Sequence, residues 1–316
     1  VCFKKVGLQQ AISYPLFCSK HDTALFIPIE GEVIDFDNYM SQLLFSYRGV
    51  CSEIRKKEFV KVRNVAWEDN DINESSLLGT DRGLQDLLRY KFLFEKEMTN
   101  PAQMFVFKHI TYPFIPVYAC GTSSYEPIDY KSERSVDNAM KKKMFDAFFI
   151  NVIPQKESLE IIIGYHKNHV NPDLRHYVDS WQKLSLEQLQ VKLTDLFAAR
   201  LEMWGMSPSL YNCLSEEKKK LFLDNMKKVQ TNFYYDIRNE DLYMPSNKNQ
   251  RNNDSDMLDF TMDDISDDMS DLLDDFSDDS QYEELDDYIE DFQNNMKNRI
   301  SDIMSDDALS DAEEIS

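Results

Sequence analysis

Ala147-Phe148-Phe149-Ile150-Asn151-Val152-Ile153-Pro154-Gln155-Lys156-Glu157-Ser158-Leu159-Glu160-Ile161-Ile162-Ile163-Gly164-Tyr165 is the stretch on which the fold turns. Both halves are rich in Phe, Ile and Val, whose flat or branched side chains suit a pleated surface better than a helix. Pro154 to Ser158 between them form a hairpin loop, so the two runs pair as antiparallel neighbours. Upstream, Met104 to Tyr112 and Phe114 to Cys120 share that composition and extend the sheet.

Helical patterns lie on both sides of the strands. Phe36, Met40, Leu43, Tyr47, Cys51 and Ile54 recur at steps of three and four and fall on one helical face. Asp35 is placed to cap that helix, and Arg55-Lys56-Lys57 sit where cations suit a helix end. A second helix runs from Asp81 to Met98, with Thr80 as cap and Asn100-Pro101 as stop. The first thirty residues read as irregular or hairpin-like, punctuated by Pro15 and Pro28. Downstream, Asn171-Pro172 opens a helix and Ser185-Leu186-Glu187-Gln188 fits a capping box. Leu186, Leu189, Leu193, Leu196 and Phe197 continue that helix as an apolar stripe, and Ser207-Pro208 and Ser215-Glu216-Glu217 open two more. Helices, then strands, then helices give an α+β body in which helices flank a small antiparallel sheet.

With 42% hydrophobic and 12% aromatic residues in 316, the chain has enough apolar surface for a real core, which excludes general disorder. Its net charge of −22 is misleading, because residues 251–316 hold 24 of the 57 acids and 3 of the 35 bases. The remainder carries 33 acids against 32 bases. The charge thus separates a balanced body from an acidic tail, 251–316, and the domains expected are 1–34, which the resemblance given below implies to be a remnant of a zinc-finger-like segment, 35–250, the globular body, and the tail. Phosphate binding depends on local clustering of cations, and the clusters present are Arg55-Lys56-Lys57, Lys141-Lys142-Lys143 and Lys218-Lys219-Lys220 with Lys227-Lys228. Each reads first as a solvated helix face. Cys2, Cys18, Cys51, Cys120 and Cys213 are odd in number and scattered, unlike a disulfide framework. No apolar run of membrane length occurs, so the expected location is the cytoplasm.

The tail is more than a charge run. Leu258, Met262, Ile265, Met269, Leu272 and Phe276 step by four and three, and Tyr282, Leu285, Ile289, Phe292 and Met296 form a second such series. An acidic helix would present these as a continuous seam, which a pure solubility tail would lack. Two readings stand: a solvated, partly helical extension, or a seam that docks in a hydrophobic groove while its carboxylates meet a basic rim. Ser-Asp steps at Ser266, Ser277, Ser305 and Ser310 could accept phosphate, although helix capping selects the same pair.

One local constellation has metal-ligand spacing: Cys18-Ser19-Lys20-His21, followed by Asp22. A thiolate and an imidazole so placed can reach one Zn²⁺, and a structural site needs two further ligands. Phe17-Cys18-Ser19-Lys20-His21-Asp22-Thr23-Ala24-Leu25-Phe26-Ile27-Pro28-Ile29-Glu30 resembles the Phe-Cys-x-x-His-Asp-x-x-Leu-Phe-x-x-Ile-Glu segment of a family of largely uncharacterised bacterial zinc-finger-like proteins. The likeness continues through the front helix, the aromatic strands and the region from Glu202 to Tyr211, but not the tail. It implies a zinc ion with Cys18 and His21 as ligands, and a chain truncated at its N-terminus, because the family's upstream cysteine pair is missing here. The arrangement is also similar to the second half of a treble-clef site, which implies an alternative: a metal-dependent nuclease or phage-defence effector held silent by its tail. Nothing in residues 1–30 supplies the further catalytic groups such a nuclease requires.

Other clusters read as structural. His166-Lys167-Asn168-His169 is a polar turn before a helix cap, His109 a strand residue, and Cys120-Gly121-Thr122-Ser123-Ser124 a loop without a paired base. Eight glycines and no phosphate loop, nucleophile elbow or His-Glu-x-x-His helix leave no catalytic constellation. The function expected is that of a binding or regulatory protein with a structural zinc site and protein or nucleic acid as partner.

Overall fold

The computed structural model describes residues 2–7, 16–31, 33–66, 74–126, 134, 141–231, 286–292, 294, 295 and 298. The quoted stretch forms β3 (Ala147–Pro154) and β4 (Ser158–His166), paired antiparallel from Phe148↔Tyr165 to Pro154↔Leu159. The loop closes through the Gln155 N–H donating to the Ser158 carbonyl at 2.8 Å. β1 (Phe105–Pro113) lies beside β4, and β2 (Val117–Ser124) beside β3. A three-residue β5 (Trp204–Met206) completes the antiparallel sheet in the order β1-β4-β3-β2-β5. Being central, β3 and β4 are buried on both faces, so they read as continuous apolar runs without the alternation of a half-exposed strand.

Three helices cover one face, the front: α1 (Ser19–Glu30), α2 (Tyr39–Ala66) and α3 (Glu74–Thr99). Their core joins Phe26, Ile29, Leu43, Tyr47, Ile54, Leu88 and Phe94 to Phe105, Ala147 and Phe149 of the sheet. The back is covered by α4 (Pro172–Asp179), α5 (Leu186–Asp195), a π-helical turn (Leu196–Arg200), α6 (Pro208–Cys213) and α7 (Glu216–Thr231). There Phe148, Ile150, Val152, Ile161 and Ile163 meet Leu174, Trp181, Leu189, Leu193, Phe197 and Phe222. The result is the α+β fold read from the strands, with helices on both faces. No helix among the described residues is long and apolar enough to cross a membrane.

Several local signals work as read. Asn171 Oδ1 accepts from Leu174 N at 2.8 Å with Pro172 in the first turn, and both bonds of the Ser185–Gln188 capping box form. Four readings are corrected. Residues 19–30 are helical despite Pro28, because losing one amide donor costs less than the burial of Phe26 and Ile29 gains. The cap of α2 is Asn38, whose Oδ1 accepts from Met40 N at 2.9 Å, while Asp35 accepts from Asp37 N in the preceding turn. Arg55-Lys56-Lys57 and Thr80 lie inside α2 and α3, which extend further than their apolar periods suggest. Cys120 to Ser124 are strand, held in register with Ala147 to Asn151. Of the tail's two seams, Leu258 to Phe276 lies outside the described residues, as do Tyr282, Leu285 and Met296 of the second.

Candidate docking surface

Residues 286–292 are helical and lie against the front layer. Ile289 is only 6% exposed and belongs to the front core, with Tyr288 and Phe292 packed at its margin. The Tyr288 ring lies 5.9 Å from that of Phe92 on α3. Lys91 Nζ donates to the Tyr288 hydroxyl at 2.6 Å and to Glu95 Oε1 at 2.5 Å, and the Tyr47 hydroxyl of α2 donates to the same Glu95 oxygen at 2.7 Å. A chain of polar contacts, Tyr288–Lys91–Glu95–Tyr47, thus fastens the segment to the groove between α2 and α3. At its edge Asp286 lies 3.5 Å from Arg89.

Magnitudes decide which contact matters most. The Asp286 side chain is 60% exposed, and such ion pairs contribute under about 1 kcal/mol. Burying an isoleucine side chain is worth about 1.5–3 kcal/mol, so Ile289 anchors the segment and the carboxylate orients it. Burial opposes the Lys91 ammonium, but its bonds to Glu95 and Tyr288 outweigh that and hold its pKa above the ordinary lysine value. Burial also raises the Tyr288 phenol, against the pull of Lys91, and pushes the neighbouring Cys51 thiol up to about 12.

The surroundings are cationic in a way the linear clusters only half disclose. Arg82 and Arg89 donate to the carbonyls of Lys142 and Lys143, which brings the exposed Lys141-Lys142-Lys143 run beside α3. Asp86, between the two arginines at 3.4 and 3.6 Å, offsets part of that charge. Its carboxyl is pushed up to about 6 by burial, with Arg82 opposing.

Cys18 and His21 are also brought together. Cys18 stands at the N-cap position of α1 without a side-chain capping bond, and its Sγ lies 3.1 Å from His21 Nδ1 on the exposed surface. Two donors of a tetrahedral set are therefore adjacent, and the next acid, Asp22, faces Arg48 at 3.6 Å. Cys2 cannot join them, because Phe3 beside it packs on Trp204, Tyr211 and Phe222 of the back layer. Among the described residues no group of three or more His, Cys, Asp or Glu is arranged to hold a metal. The pair fits half of a zinc site.

His166, His169 and His109 are held by contacts within the fold. His166 and His169 are buried with ring centroids 5.0 Å apart, and burial lowers them to about 3 and about 4. The turn between them closes through His169 N donating to the His166 carbonyl at 3.0 Å. His109 lies between Asp37 and Glu160, each 2.8 Å from one ring nitrogen, with Phe36 5.6 Å away. Sequence reading missed Arg89, Lys91 and Phe92, because one face of a helix gives no sign of what will rest on it. The usable signal was in the tail, where Ile289 and Phe292 stand out from the acids.

No family model, no curated protein and no solved structure matches this chain.

Proposed function

We propose that this chain is a cytoplasmic binding protein regulated by its own acidic C-terminal region, which occupies the groove between α2 and α3. The observation that carries the reading is the burial of Ile289 in the front core, with Tyr288 on Lys91 and Asp286 on Arg89. A tail that merely kept the protein soluble would have no reason to bury an isoleucine. All five cysteines are free, which suits a reducing compartment. The full chain carrying Ile289→Asp tests it by hydrogen exchange. Protection of residues 88–95 should fall while the sheet amides keep theirs. Global unfolding of that variant would make the segment an inseparable part of the core and end the proposal.

The Cys18–His21 contact supports a second, separate element of the reading, a structural zinc ion whose other ligands lie elsewhere. Metal analysis of the purified chain should find zinc that Cys18→Ala removes. Equal zinc content in both proteins would reject these two residues as ligands.

A further inference from the structure

We propose that the α2–α3 groove is a docking site for an acidic amphipathic helix of a partner protein, and that residues 286–292 stand in for that helix until it arrives. This rests on the reading of the tail as a regulator and adds what displaces it. The groove recognises two things together: an aliphatic side chain that can reach the position of Ile289, and polar groups beside it, a carboxylate at Arg89 and a hydroxyl at Lys91. Helical spacing delivers both at once, since anchors three and four residues apart line one side of a helix and leave the other side for carboxylates.

The same geometry disfavours other occupants. A nucleic-acid backbone brings negative charge but nothing to fill the apolar centre where Ile289 sits. A second copy of the chain carries the right segment but competes poorly with the first. Between Thr231 and Asp286 lie 54 residues. Being part of the same chain, the segment meets its own groove intramolecularly, at a high effective concentration. Free copies would have to approach that concentration to exchange tails. A partner helix of higher affinity needs to outcompete a segment anchored by Ile289.

Fluorescence anisotropy on the full chain tests this with a designed peptide of unrelated sequence, carrying Leu and Phe at alternating steps of three and four among Asp and Glu. The tail-release variant Tyr288→Ala/Ile289→Asp should bind it at least tenfold more tightly than the wild type. Adding Lys91→Glu should remove that gain. A scrambled peptide of equal composition should bind at least tenfold more weakly. Equal binding of the scrambled peptide, displacement of the designed peptide by a short DNA duplex, or no binding to the release variant would each overturn the proposal. A concentration-dependent dimer of the wild type that closes the groove would overturn it in favour of tail exchange. If residues 88–95 of the wild type show no tail-dependent protection in hydrogen exchange, it is the underlying regulatory reading that fails. Protection without peptide binding to the release variant sinks only the partner.

Discussion

The two faces of the sheet are built from the same strands and are not alike. On the back, the residues of β3 and β4 are apolar without exception: Phe148, Ile150, Val152, Leu159, Ile161, Ile163 and Tyr165. On the front, the in-register row His109, Ile162, Asn151 and Cys120 crosses four strands and is polar at two of its positions. Helix α2 meets that face with Gln42, Ser46, Gly49 and Glu53 at helical spacing, all of them buried. Gly49 lies against Gly121 of β2, where a β-carbon would meet the Gly121 nitrogen at 3.4 Å, an ordinary contact distance. Among the described residues, the Asn151 side-chain nitrogen and the Ser46 hydroxyl have no hydrogen-bond partner. Polar atoms without a hydrogen-bond partner occur among the described residues of the back layer too, at Tyr177, Trp181 and Gln190, so the two layers differ in the row that crosses the sheet and in the tail segment that rests on the front.

That contrast can be broken or sharpened by measurement. The largest effect belongs to the back: Phe148→Ala should cost about 3–5 kcal/mol in denaturant unfolding, as for a fully buried aromatic ring. A loss below about 1 kcal/mol would mean that the back layer is not the tightly packed one.

Acid should act chiefly through the front. His166 and His169 have folded values below the ordinary histidine value of 6.5, so they are neutral when folded and take up protons on unfolding. Their contribution is therefore intact above pH 6.5 and lost as pH falls towards about 4 and about 3. Asp86 runs the other way: its value is raised from 3.8 to about 6, so its burial is relieved as pH drops through 6. Glu53, raised by burial as well, runs with Asp86, so the slope between pH 6.5 and 4 is the balance of the two histidines against the two carboxyls. His169→Gln should lower that slope by about one proton per molecule, and an unchanged slope would remove the pair from the account.

Smaller still is the expected response of the front interior. Asn151→Leu should change stability by no more than about 1 kcal/mol, since an amide nitrogen without a partner gains little from remaining polar. A loss comparable to that of Phe148→Ala would erase the distinction between the faces. Smallest is Asp286→Asn, expected to weaken tail protection by a few tenths of a kcal/mol and only at low salt. A large effect there would make charge, rather than Ile289, the anchor.

The elements were legible where local chemistry dictates local structure. Runs of Phe, Ile and Val could only be strands at that length, and Ser185 with Gln188 satisfies the first amides of α5 from within four residues. Legibility failed where burial overrode local preference. Pro28 argued against α1 until Phe26 and Ile29 found a core, and three-residue β5 exists only because β2 offers it an edge. The half-site followed the same division, since spacing brings Cys18 to His21 but says nothing of a third ligand.

What the amino-acid order determined alone is the menu of elements, the charge imbalance of residues 251–316 and the two apolar series within them, because each depends on neighbours a few positions apart. Tertiary structure alone decided that the sheet has one apolar and one polar-seamed face, and that Tyr288 meets Lys91 across 197 positions. Such pairings arise from the shapes and charges of finished surfaces, which no periodicity along the chain encodes.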